Sequence, residues 1–131
     1  MKKKGIIFLT IGVVSLLLLC IATGVLYLQR ELQLAFTEDA VHVISYEVHD
    51  MLKKNREVND IDINARIKYL LDASVINICL DKDGKPVDEY GNPFRVTYEI
   101  TQDKITVTCV SLGPDREEGT PDDIVFVYDG S

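Results

Sequence analysis

Histidine and cysteine are scarce in this sequence, and one long stretch carries no charge at all. Among 131 residues there are two histidines and three cysteines. His42 and His49 stand seven positions apart. On a helix that is two turns, roughly 10 Å, too far for one shared ion, so both are expected at the surface. No zinc pair, nucleophile elbow or phosphate loop can be assembled from the remaining residues. A small domain without such a constellation is expected to bind or to build, and no enzyme is expected. Cys20 lies within an apolar run and reads as filler. Strand parity argues against a bridge between the other two cysteines. Cys109 shares the inward face of Ile105 and Val107, whereas Cys79 stands opposite Ile76, Ile78 and Leu80.

The charge-free stretch runs from Gly5 to Leu28, directly behind Lys2, Lys3 and Lys4. As a helix it is roughly 36 Å long, against a hydrocarbon layer of about 30 Å. A secretory signal has a much shorter apolar region, of about 7–15 residues. Ala22-Thr-Gly24 is a poor cleavage site, and Cys20 lacks the small residue expected before a lipidated cysteine. The run therefore reads as a retained single-pass anchor, residues 1–28. The lysines place its N-terminus in the cytoplasm. Residues 29–131 then form one domain outside it, large enough for a modest core. That domain holds eleven of the 14 Lys and Arg and all 21 Asp and Glu, a net charge of −10. Such a surface disfavours nucleic acid and anionic lipid and suits cations.

Neither glycine nor proline interrupts the chain from Val25 to Asn55. Leu28, Leu32, Phe36, Ala40, Val43, Ile44, Val48, Met51 and Leu52 recur at helical spacing. Arg30, Gln33, Glu38, Ser45, His49 and Lys53 take the other face. One helix over Ile6–Asn55 is predicted, with its first half apolar all round and its second half, the stalk 29–55, amphipathic. After a loop to Asp62, Asp62 or Asn64 can cap a short second helix, Ala65–Asp72. Ser74 marks a break. Val75–Leu80, Phe94–Ile100, Lys104–Leu112 and Ile124–Tyr128 read as strands of one antiparallel sheet packed on the long helix. Asp81–Lys85 is a turn. It is not an EF-hand loop, because Pro86 stands where the invariant glycine belongs and no glutamate closes the twelfth position.

The stretch between the last two strands, Ser111–Ile124, contains Asp115, Glu117, Glu118, Asp122 and Asp123, with Arg116 as its one cation. Gly113, Pro114, Gly119 and Pro121 impose turns. Five carboxylates in nine residues repel one another unless a cation sits among them. Two readings stand: a solvated acidic turn, or a site for Ca2+ with side-chain oxygens from Asp115, Asp122 and Asp123. Glu117 and Glu118, at the tip, are expected to face water.

The order Gly-Pro-Asp, Gly-Thr, Asp-Asp-Ile across this loop resembles the C-terminal loop of the major, G-type pseudopilin of bacterial type II secretion. A second match lies upstream. Asp88-Glu-Tyr-Gly-Asn-Pro-Phe94 is similar to that family's Asp-Pro-Trp-Gly-Asn-Pro-Tyr segment, with Tyr90 in place of Trp. Together the matches span Asp88–Ile124. The resemblance implies an α+β, pilin-like fold and a calcium-binding loop, to which the carbonyls of Leu112 and Thr120 would also contribute. It implies a non-catalytic structural subunit that assembles with like subunits or other pseudopilins through its N-terminal helix. That subunit would sit in the bacterial inner membrane with its domain in the periplasm. The family's leader ends in Gly and is followed by Phe, with Glu at the fifth mature position. Here Lys4-Gly5 precedes Ile6, and Thr10 stands at the Glu position. The alternative is a monomeric, membrane-anchored, calcium-stapled domain used in adhesion, sensing or envelope scaffolding.

Overall fold

A computed structural model describes residues 11–130, together with the helical backbone of 2–10. The side chains at the Gly5–Ile6 junction and at Thr10 lie outside what is described. The architecture is α+β with the expected pilin-like order of elements. A long helix α1 (Lys2–Asn55) is followed by α2 (Asp60–Asp72). The strands are β1 (Cys79–Leu80), β2 (Pro86–Val87), β3 (Arg95–Ile100), β4 (Ile105–Ser111) and β5 (Ile124–Tyr128). The chain divides into two compact units, 1–32 and 33–131.

In the first unit the described apolar side chains are exposed all round, Leu16, Leu19 and Leu26 each by more than 60%. The Thr23 hydroxyl donates to the Leu19 carbonyl at 3.0 Å, so it is satisfied within the helix. Near the N-terminus this helix is long and apolar enough to cross a membrane. An apolar surface of this kind requires lipid or other apolar partners around it.

The second unit has its core along one stripe of α1. Ala40, Val41, Ile44, Val48 and Leu52 pack with Ile63, Ile67 and Leu70 of α2, with Ile76 and Ile78, and with Val107 and Cys109 of β4. Phe94, Val96, Ile105 and Phe126 close the margin. The stripe is wider than its apolar residues indicate. Ser45 and His49, expected on the outer face, are buried. Ser45 donates its hydroxyl proton back to the Val41 carbonyl at 2.7 Å, which makes its burial tolerable. His49 meets the Tyr128 ring edge-on, with centroids 4.9 Å apart. The surface position expected for His49 is therefore corrected, since β5 supplies an aromatic cover that helical periodicity cannot reveal. His42 is exposed and stacks on Phe126 with centroids 3.7 Å apart.

The second helix starts earlier than expected. Asn59, not Asp62 or Asn64, is the cap, its side-chain oxygen accepting from the Asp62 N–H at 2.9 Å. Asp60 and Asp62 in the first turn complement the helix dipole, and the earlier start brings Ile63 into the core. The expected strand Val75–Leu80 shrinks to its last two residues. Ser74 takes φ +57° and the Val75 N–H remains bonded to the Leu70 carbonyl, so the chain is still leaving the helix there. Cys79 pairs with Val87 and Leu80 with Pro86 in a separate two-stranded sheet. Ile76 and Ile78 are buried as parity requires, but Leu80 is exposed. The main antiparallel sheet has the order β3-β4-β5, with Ile100 opposite Ile105 and Cys109 opposite Phe126. Cys109 is buried, Cys79 exposed, and both are free thiols. Burial pushes the Cys109 thiol up to about 12.

Candidate functional site

The acidic loop joins β4 to β5, two neighbouring antiparallel strands with Ser111 paired to Ile124. The strands therefore bring the loop's two ends together, and the turns between them decide where the carboxylates point. Gly113 takes φ +67° and Gly119 φ +84°, conformations that glycine adopts without strain. Arg116 takes φ +62° without that freedom. Its guanidinium donates to the Tyr90 carbonyl at 3.2 Å, outside the acidic loop.

The carboxylates are held chiefly by the loop's own N–H and O–H groups. Asp122 Oδ1 accepts from the Thr120 hydroxyl at 2.7 Å, and its Oδ2 accepts from the Asp115 N–H at 3.2 Å. The Thr120 hydroxyl bond, followed by the backbone bonds, holds the Asp122 carboxyl below the usual aspartate range. Asp123 Oδ2 accepts from the Gly119 N–H at 2.7 Å, and its Oδ1 lies 3.4 Å from the Thr120 hydroxyl. Asp122 and Asp123 thus both reach Thr120. Asp115 Oδ1 accepts from the Glu117 N–H at 2.9 Å, and the Asp115 side chain is also close enough to the Asp122 carboxyl to help lower its pKa. The Thr120 carbonyl accepts from the Asp123 N–H at 3.2 Å, and Leu112 is buried where the loop leaves β4. Glu118, at the tip, pairs with Arg95 of β3, and Glu117 is exposed.

Among the described residues no Lys, Arg or His lies within ion-pairing distance of Asp115, Asp122 or Asp123. Nor do three or more His, Cys, Asp or Glu side chains among them gather as one metal-binding group. The donor chemistry nevertheless fits a hard cation. Carboxylate, hydroxyl and carbonyl oxygens are close together, and hydrogen bonds hold the Asp122 pKa below the usual aspartate range. A calcium set here would combine the carboxylates of Asp115, Asp122 and Asp123 with backbone oxygens.

Beside the loop lies a polar cluster built on the Asp88–Phe94 segment. Asp88 is fully buried. Its Oδ1 accepts from the N–H groups of Tyr90 at 2.9 Å and Asn92 at 2.8 Å. Its Oδ2 accepts from Asn92 Nδ2 at 3.3 Å and from the Ser111 hydroxyl. The same Asn92 Nδ2 donates to the Gly113 carbonyl at 2.8 Å. The sequence signal for half of this was present, since an Asp two and four residues ahead of free N–H groups forms Asx-type turns. Its contacts with Ser111 and Gly113 span more than twenty positions, and no local pattern encodes them.

No protein-family model matches the chain, and neither the curated proteins nor the solved structures contain a match to it.

Proposed function

We propose that this chain is a pseudopilin-like structural subunit of bacterial type II protein secretion. Residues 5–28 anchor it in the inner membrane with a cytoplasmic N-terminus, and the domain lies in the periplasm. Like helices associate through the apolar segment. The observation that carries this reading is the meeting of the two family-like segments: Asn92 of the upstream one donates to Gly113 of the acidic loop at 2.8 Å. Segments matched separately along the sequence form one unit in the fold. The uniformly exposed apolar helix supports the assembly half of the reading.

In this reading the loop is a calcium site held by Asp115, Asp122 and Asp123, with the carbonyls of Leu112 and Thr120. A bound calcium ion would neutralise the carboxylate repulsion. The loop's own part is to hold Asp122 and Asp123 close together at Thr120, and so to fasten β4 to β5.

Thr10, where the pseudopilin family places Glu, favours a second reading: a monomeric anchored domain with the same stapled loop, serving adhesion, sensing or envelope scaffolding. The two separate by mass analysis of the membrane-extracted protein combined with crosslinking in membranes. A mature N-terminus at Ile6 together with self-crosslinking through the helix is the result expected for the pseudopilin-like subunit. An intact Met1 with no crosslinked species overturns it in favour of the monomer.

A further inference from the structure

Gly113 is gripped at both ends of its backbone by residues outside the turns of the acidic loop. Its N–H donates to the Ser111 hydroxyl oxygen at 3.3 Å, and its carbonyl accepts from Asn92 Nδ2 at 2.8 Å. Both holding groups are themselves fixed by one carboxylate, since Ser111 and Asn92 each donate to Asp88 Oδ2. Asp88 and Ser111 are fully buried and Asn92 is 4% exposed, so water does not compete for these bonds. Gly113 in turn lies against the Asp122 backbone. A β-carbon built on it would reach Asp122 Oδ2 at 3.0 Å and the carbonyl carbon at 3.1 Å. A continuous contact path thus runs from Asp88 through Asn92 and Ser111 to Gly113, and from there to Asp122.

We propose that Asp88, Asn92 and Ser111 are positioning residues for a divalent cation in the acidic loop. Touching no cation themselves, they fix the Gly113 peptide and thereby the placement of Leu112 and Asp122 on either side of it. The inference rests on the calcium reading of the loop. Its physical basis is preorganisation. A loop whose oxygens are already placed loses little freedom on binding, whereas a loose one has to be ordered first and binds more weakly. Asp88 suits this role because a buried carboxylate with four donors has one satisfied arrangement and no low-energy alternative.

The test is calcium titration by calorimetry on the full chain in detergent micelles, at a temperature where circular dichroism shows wild type and variants folded. Asn92→Ala removes the bond to the Gly113 carbonyl, and Ser111→Ala removes the hydroxyl that holds its N–H. Each is expected to weaken calcium binding about tenfold, the scale of one such bond lost. A merely structural role lowers the melting temperature in chelator but leaves affinity at low temperature within twofold of wild type, and that result overturns the inference alone. Wild type that binds no calcium overturns both the inference and the calcium reading beneath it. A third readout needs no variant. In wild type with chelator, the Gly113 amide is expected to exchange with deuterium at least tenfold more slowly than the exposed Glu118 amide. Equal rates show that the clip does not organise the empty loop, and the inference falls.

Discussion

Gly113 lies directly against Asp122, so closely that the Asp122 carbonyl oxygen occupies the space a β-carbon on Gly113 would need. Two turns of the acidic loop are thereby locked together across nine positions of sequence. The same residue combines this crowding with φ +67°. Gly119 has a similar φ, +84°, with nothing within 4 Å of its would-be β-carbon. The pair separates strain from crowding. Gly119→Ala is expected to cost about 1 kcal/mol, from positive φ alone. Gly113→Ala adds the displacement of Asp122 and is expected to cost roughly 2–4 kcal/mol. Denaturant unfolding of the two variants measures the difference, and equal values would show that the Gly113–Asp122 contact carries no energy.

Calcium removal tests the loop as a whole. With oxygens from Asp115, Asp122 and Asp123, the affinity expected is that of extracellular calcium modules, about 10⁻⁴ to 10⁻³ M. A hundredfold excess over the dissociation constant then adds about 2.7 kcal/mol of stability. Chelator is expected to lower the melting temperature of the domain while helical circular dichroism from α1 persists. Asp122→Ala is expected to melt like chelated wild type, because it deletes the carboxylate bound to Thr120 and Asp115. Coincident curves with and without calcium would make the loop a solvated acidic turn.

His49 gives the domain an acid-sensitive element. Burial, reinforced by Lys53, holds its pKa below the ordinary 6.5, against the opposing pull of Asp50 and Asp129. In this window the unfolded chain binds the proton more readily than the folded one, so stability rises with pH. The contribution is fully present above pH 6.5 and is lost as pH falls through the lower folded value. His49→Gln is expected to flatten the stability–pH curve just below 6.5. Unfolding midpoints collected from pH 7.5 down to 5 check this. An unchanged slope in the variant would show that His49 does not titrate differently on folding.

The Asn59 cap makes a narrower test. Asn59→Ala is expected to cost about 1 kcal/mol, the usual value of a lost N-cap. Asn64→Ala, at an exposed position inside α2, is expected to be neutral within about 0.5 kcal/mol. The order reverses if the helix begins at Ala65.

Much of the domain was legible from local pattern, because the relevant physics is local. Chain-wide apolarity from Gly5 to Leu28 and the unbroken 3.6-residue period to Asn55 required one long helix. Period-two alternation required the three main strands, and Ile124–Tyr128 has the bounds read from it. Gly113 and Gly119 marked turns because positive φ is a property of single residues. The tertiary structure decided what depends on contact between distant segments. Ser45 and His49 look polar and outward on a helical wheel, yet both are buried, His49 against Tyr128 of β5. Val75–Ile78 alternates like a strand but belongs to none of the strands, and at its start the Val75 N–H is still bonded to the Leu70 carbonyl of α2. Asp88 looks like an ordinary turn aspartate until Ser111, twenty-three positions away, brings a hydroxyl to it in the interior. A side chain's type and a residue's φ preference belong to the residue itself. Burial and hydrogen-bond partnership belong to pairs of residues, and only the folded chain brings those pairs together.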